Sequence, residues 1–253
     1  MEHSEPQPIL RLRPGEASKY ALLPGDPGRV KRIAERLESA RMVAENREFI
    51  TYRGIYRGVD VTVVSTGVGC PGASIVVDEL HNLGVEVIIR VGTTGGLQPP
   101  VKPGDLVIAT GAVRGDCASR YYAPLSYPAV ADFWVVRALV EAADSLGIQN
   151  KHVGVVWTCD SFYMQRKIVN RFVKLRCLSV EMETACILTL CSSYGIRAGS
   201  VLAVDGNLIT GEKYNPWSPE AQRGIDNTIN TALEALLLLE KWKKEGKLGR
   251  TEG

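Results

Sequence analysis

Three arginines stand beside turn-forming residues in this chain. Arg29 closes the run Pro24-Gly25-Asp26-Pro27-Gly28-Arg29, Arg90 precedes Gly92-Thr93-Thr94-Gly95-Gly96, and Arg47 lies in Asn46-Arg47-Glu48. A guanidinium fork matches the oxygens of a phosphate group. Glycine-rich turns and helix starts expose backbone N–H groups to anions. Together these residues predict a site for a small anion, built from Gly25, Arg29, Arg90, Gly92 and Thr93, with Arg47 as a third guanidinium.

A second glycine loop, Gly67-Val68-Gly69-Cys70-Pro71-Gly72, spells G-x-G-x-x-G after a β-branched run, which is the context of a dinucleotide fingerprint. That fingerprint needs an acid at the far end of the next strand, to hold a ribose hydroxyl. The next strand covers Val85–Val91, and its only acid, Glu86, is at its start. Arg90 near its end suits a 2′-phosphate, which leaves NADP as a remote alternative.

The elements that position these loops follow from hydrophobic periodicity. Tyr20–Leu23, Phe49–Tyr56, Val59–Ser65, Val85–Val91, Leu106–Val113, Val153–Thr158 and Ser200–Val204 read as strands. Helices are predicted over Arg29–Leu37, Ala73–Leu83 and Asp132–Leu146, and from Val180 toward Tyr194-Gly195. A final helix starts at an Ser218 N-cap with Pro219 in first position. Phe49–Tyr56 alternates in character, which suggests antiparallel pairing there. The pattern predicts a single α/β domain over 1–253, with a mixed, mostly parallel sheet, an N-terminal extension over 1–19 and a frayed tail over 247–253. Ligands of such sheets sit at the carboxyl ends of the strands.

A net charge of +2 gives no electrostatic case for nucleic acid or a membrane surface. Met1–Leu10 carries acids and prolines and lacks the apolar core of a signal peptide, so a cytoplasmic protein is expected. The six cysteines form no C-x-x-C, and the three histidines are scattered, so no metal site is expected.

The ordered segments Pro24–Arg29, Arg90–Gln98, Tyr127–Phe133 and Val180–Ala185 resemble the nucleoside phosphorylases of the uridine and hexameric purine type. The resemblance runs from about Ala21 to the C-terminal helix. It implies a distorted mixed-sheet barrel flanked by helices and a reversible reaction in which phosphate cleaves a nucleoside to free base and pentose 1-phosphate. It also implies no metal or organic cofactor, phosphate being a co-substrate, and a homo-oligomer, commonly a hexamer built as a trimer of dimers. By this resemblance Gly25, Arg29, Arg90 and Thr93 bind phosphate, and Arg47 serves a neighbour's phosphate across the dimer interface. Glu181, Met182 and Glu183 form the ribose segment, with Glu183 accepting from the ribose hydroxyls. Thr94, Gly95 and Phe162 line the base pocket.

The preferred base stays open at this point. In some purine-cleaving members a Val-Asp-Gly segment supplies the acid that protonates the leaving base, and Val204-Asp205-Gly206 is similar. Aligning Asn207-Leu208 with other purine enzymes instead sets Gly206 opposite their aspartate. Uridine enzymes read uracil with a Gln-x-Arg pair. Here Gln165 and Arg166 are adjacent, and adjacent helical side chains diverge by about 100°. A second uracil-side arginine is replaced by Leu208. The local chemistry leans to purine and the flanking segments to uridine. The family's N-terminal histidine has no counterpart in Pro8–Leu12, and His3 is farther upstream; an apolar residue there would favour a 5′-deoxy or 5′-methylthio substrate. A nucleoside hydrolase and a non-catalytic nucleoside-binding protein are the remaining alternatives.

Overall fold

The computed structural model describes residues 5–249. Its strands are β1 (Tyr20–Leu23), β2 (Glu38–Asn46), β3 (Phe49–Tyr56), β4 (Val59–Val64), β5 (Val87–Gly96), β6 (Leu106–Gly115), β7 (Ala129–Val130), β8 (Lys151–Cys159), β9 (Ser179–Glu181) and β10 (Arg197–Asn207). The helices are α1 (Pro27–Ala34), α2 (Cys70–Asn82), α3 (Phe133–Ser145), α4 (Gln165–Lys174), α5 (Thr184–Ser193) and α6 (Pro219–Lys244).

The sheet runs β10-β6-β8-β9-β5-β1-β4-β3-β2, and β10 also pairs with β5. That extra pairing closes β5, β10, β6, β8 and β9 into a ring, from which β1, β4, β3 and β2 extend as a flap. The pairs β1–β4, β1–β5, β5–β10, β6–β8 and β8–β9 are parallel. The pairs β2–β3, β3–β4, β5–β9, β6–β7 and β6–β10 are antiparallel. The sheet is therefore an even mixture by strand pair, and its two longest registers, β5–β10 and β6–β8, are parallel. Hairpin-connected strands at the flap account for much of the antiparallel share.

One buried cluster packs α1, α3 and α6 on one side, through Val30, Leu139, Ile229 and Leu236. Another packs α2 and α5 on the opposite side, through Val77, Leu80, Ile187 and Leu190. Ser218 caps α6, its hydroxyl accepting from the Ala221 N–H at 3.1 Å. The strand β2 escapes the periodicity rule because it is the flap's outer edge: it pairs only with β3, and its first five residues are exposed. Edge strands carry polar residues on both faces, so no alternation marks it.

The N-terminal segment is part of this packing. Leu10 and Leu12 are buried beside α2 and α5. The buried carboxylate of Glu79 accepts from the Ile9 and Leu10 N–H groups at 2.8 and 2.6 Å. At the other end Lys247 still donates its N–H to the Trp242 carbonyl, and Leu248 packs on the helix cluster, so residues 247–249 are held rather than frayed. His3 and residues 250–253 lie outside the described residues. Among the described residues no helix is long and apolar enough to cross a membrane.

Removing the Glu79 carboxylate strands two N–H groups in an apolar setting. Glu79→Ala is expected to lower unfolding stability by about 2 kcal/mol in urea titrations. Unchanged stability would mean that the segment around Ile9 and Leu10 is not anchored there.

Candidate active site

At one end of the closed ring, the C-terminal ends of β1, β5, β9 and β10 converge on a cavity of about 1230 Å³. Register sets their levels. Leu23 of β1 pairs with Arg90 of β5, so the Pro24-Gly25 turn leaves the sheet beside Val91 and Gly92. Val180 of β9 pairs with Gly95, and Val204 of β10 with Thr94.

Arg90 is the buried centre of the site. Its Nε donates to Glu181 Oε2 at 3.0 Å, and its Nη2 pairs with Glu183 Oε2. Its Nη1 is buried with no protein partner. Burial alone would lower Arg90, but the Glu183 and Glu181 carboxylates outweigh it and raise its pKa. Gly92 makes the geometry possible, since a Cβ there would stand 2.6 Å from Leu202 Cδ2 and 2.9 Å from Arg90 Cζ.

The two glutamates differ in role. Glu181 Oε2 also accepts from the Glu183 and Thr184 N–H groups at 2.9 and 2.8 Å, and its Oε1 accepts from the Thr158 hydroxyl at 2.5 Å. Both oxygens are thus engaged inside the protein, and its function here is to cap α5 and fix Arg90. Glu183 Oε1 accepts from the Gly69 N–H at 2.5 Å. Burial pushes the Glu183 carboxyl up, against the downward pull of Arg90. Met182 lies between them on the cavity wall.

The G-x-G-x-x-G loop therefore serves a protein carboxylate. Gly69, at φ +95°, opens α2 and gives its amide to Glu183. Gly72 permits a close approach, since its Cβ would sit 2.4 Å from the Thr66 carbonyl. Behind the loop, Cys70, Asp116 and Cys186 bring their donor atoms within 4.8 Å of one another. The two thiols donate to the Met182 and Cys70 carbonyls, and Asp116 accepts from Ser119. All six cysteines are free thiols.

Gly25, Arg29 and Thr93 line the same cavity as Arg90 and Gly92. Asp26 caps α1 by accepting from the Gly28 N–H at 2.8 Å, and Pro27 occupies the first helical position. This start turns Arg29 inward, where its Nη1 donates to the Val91 carbonyl at 3.1 Å. Burial lowers Arg29 to about 10. Arg47 is elsewhere: it sits exposed at φ +57° in the β2–β3 hairpin, outside this chain's own cavity lining. The neighbouring Asn46 Nδ2 donates to the Ile9 carbonyl at 2.8 Å, which ties that hairpin to the N-terminal segment.

Asp205 occupies a β-bulge where the β10–β5 register shifts between Val204 and Gly206. The bulge accommodates an extra residue in β10. The side chain lies in the cavity wall, nearly buried. Burial raises its carboxyl to about 7, although a hydrogen bond from Thr93 and the charge of Arg29 pull it down.

The remaining wall is mixed. Thr94 lies on this wall, and its hydroxyl donates to the Val180 carbonyl at 2.8 Å. Gly95 leaves room that Leu208 fills, as a Cβ there would stand 2.6 Å from Leu208 Cδ1. Gln165 is buried and Arg166 exposed, the divergence expected of neighbours on a helix, and both border the cavity. At the mouth Phe162 meets Tyr214 edge-to-face, with ring centroids 5.4 Å apart. Sequence reading missed Tyr214 and Trp217 in the loop before α6, and it missed Thr158. Their only signal was position, after β10 and at the end of β8.

A closed mixed barrel carrying arginines, carboxylates and an aromatic mouth at one end defines a phosphorylase-type architecture. Residues 19–238 match the family described as the phosphorylase superfamily, and the chain belongs to it. A uridine phosphorylase of Thermococcus kodakarensis is 40% identical, over 93% of this chain and 87% of that protein. A guanosine phosphorylase of Halorubrum lacusprofundi is 39% identical, over 92% of this chain and 99% of that protein. The crystal structure of purine nucleoside phosphorylase from Toxoplasma gondii in complex with immucillin-H superimposes with a TM-score of 0.88 at 34% identity, covering 95% of this chain and 99% of that one.

The raised Asp205 carboxyl has a stability consequence. Folded and unfolded chains both hold this proton below the ordinary value of 3.8, and only the folded chain holds it up toward about 7. Its contribution is fully present below pH 3.8 and is lost as pH rises through 7. Asp205→Asn removes that loss, so the variant is expected to gain up to about 4 kcal/mol over wild type between pH 4 and pH 8 in urea unfolding. Parallel pH profiles for the two proteins would contradict the assignment.

Proposed function

We propose that this protein is a nucleoside phosphorylase that uses inorganic phosphate to cleave purine nucleosides to free base and ribose 1-phosphate. The observation that carries the reading is the buried Arg90, its Nη1 without a protein partner, in a cavity that Arg29 and Thr93 also line. A charged donor left unsatisfied in the interior is costly, and an anionic oxygen satisfies it. Phosphate held there by Gly25, Arg29, Arg90, Gly92 and Thr93 loses the entropy of a bimolecular encounter before reaction. Its charge stabilises the oxocarbenium character of the breaking glycosidic bond. Glu183 faces the ribose hydroxyls from the segment that also carries Met182. No metal or organic cofactor enters this scheme.

Asp205 acts as the general acid on the leaving base. A carboxyl near 7 holds its proton at neutral pH and gives it up readily, which suits that task. The second reading is uridine cleavage, favoured by Gln165 and Arg166 on the cavity wall and by the uridine phosphorylase relatives. The exposed Arg47 hairpin suits a homo-oligomer in which it completes a neighbour's phosphate site, with a hexamer built as a trimer of dimers as the expected assembly. A cytoplasmic location accompanies this reading.

The test incubates the protein with inosine, guanosine, adenosine, 5′-methylthioadenosine and uridine, with and without phosphate, and follows free base by chromatography. Base release only with phosphate, fastest from a purine nucleoside, is the expected result. Asp205→Asn is expected to slow that release by about a hundredfold or more. Preference for uridine with Asp205→Asn nearly unaffected would favour the second reading, and release without phosphate would identify a hydrolase.

A further inference from the structure

Thr158 does not border the cavity, yet it controls the group that does. It is the penultimate residue of β8, its register partner on β9 is Glu181, and it is fully buried. Parallel strand partners present their side chains on the same face, so the hydroxyl meets the carboxylate directly. The Thr158 Oγ1 donates to Glu181 Oε1 at 2.5 Å and accepts from the Ala185 N–H at 2.8 Å, in the first turn of α5. It thereby joins β8, β9 and α5 at one atom.

The hydroxyl fixes which Glu181 oxygen does what. With Oε1 held by Thr158, Oε2 is the oxygen turned to Arg90 Nε, the Glu183 N–H and the Thr184 N–H. Arg90 then has one rotational setting that satisfies Nε on Glu181 and Nη2 on Glu183, and that setting leaves Nη1 as its unpartnered nitrogen. Without the hydroxyl, Glu181 Oε1 and the Ala185 N–H are left bare in a dry interior, and the carboxylate rotates to recover donors. Arg90 is the donor within reach.

We propose that Thr158 is a positioning residue for the anion site: through Glu181 it sets the orientation of Arg90, and so the affinity for phosphate. The inference rests on the phosphorylase reading above. It predicts an effect on phosphate greater than the effect on the nucleoside, although Thr158 touches neither.

The test compares wild type with Thr158→Val, which is isosteric but has no hydroxyl, and with Thr158→Ser, which keeps the hydroxyl. Inorganic phosphate binding is measured by calorimetry, and steady-state rates are measured at varied phosphate and varied nucleoside. Thr158→Val is expected to weaken phosphate binding and raise the KM for phosphate by about tenfold or more, with a much smaller change in the nucleoside KM, and Thr158→Ser to restore both. Should the valine variant not fold, Thr158→Cys, whose thiol is a weak donor of similar size, is expected to show the same loss. Equal phosphate affinity in wild type and in the folded hydroxyl-deficient variant overturns the proposal, even if melting temperature falls, since that is a purely structural effect. Wild type that binds no phosphate instead overturns the phosphorylase reading, which separates the two failures.

Discussion

The site depends on burying one guanidinium between two carboxylates. Arg90, Glu181 and Glu183 are all nearly inaccessible, and desolvating three charges costs more than their pairing recovers unless every remaining lone pair and proton is used. The structure uses nearly all of them. Backbone N–H groups of Gly69, Glu183 and Thr184 and the Thr158 hydroxyl fill the carboxylate oxygens. Nη1 of Arg90 is left without a protein partner, on a residue that lines the cavity. A donor preorganised in a low-dielectric site needs no reorganisation when charge arrives.

The barrel closure exists around this triad. Arg90 comes from β5, Glu181 from β9 and Glu183 from the entry to α5, while the Gly69 amide comes from the start of α2. No local segment contains them all, so only the ring made by the β5–β10 and β5–β9 pairings brings them together. Glycine provides the clearances. Gly92 lets the guanidinium pass over β5, Gly72 lets α2 start against the Thr66 carbonyl, and Gly25 passes the Gly67 carbonyl, where a Cβ would stand at 3.2 Å. On the adjacent strand the β10 bulge turns Asp205 into the same wall, where Thr93 hydrogen-bonds its carboxyl and the charge of Arg29 acts on it.

Much of this was legible in the sequence, for identifiable reasons. A short apolar run marked β1, β-branched residues marked β3 and β4 closely, and Ser218-Pro219 marked the start of α6 because cap chemistry is local. Arginines next to glycine turns singled out Gly25, Arg29, Arg90, Gly92 and Thr93, which line one cavity, since both features are written in short segments. What stayed hidden was set by tertiary partners. The exposed edge strand β2 carries no alternation. Glu181 reads like any acid at a helix start, and its structural role appears only when Thr158 and Arg90 are seen on it. The G-x-G-x-x-G loop has the right form for a ligand, but its free amide is taken by Glu183, a residue more than a hundred positions away.

The most direct test of the central claim is a crystal structure at saturating inorganic phosphate. The account predicts one anion per site, with an oxygen within hydrogen-bonding distance of Arg90 Nη1, contacts from Arg29 and Thr93, and Arg90 still clamped by Glu181 and Glu183. Phosphate bound away from Arg90 Nη1, or an Arg90 that leaves its two carboxylates to reach it, would contradict the claim that the triad preforms the anion site.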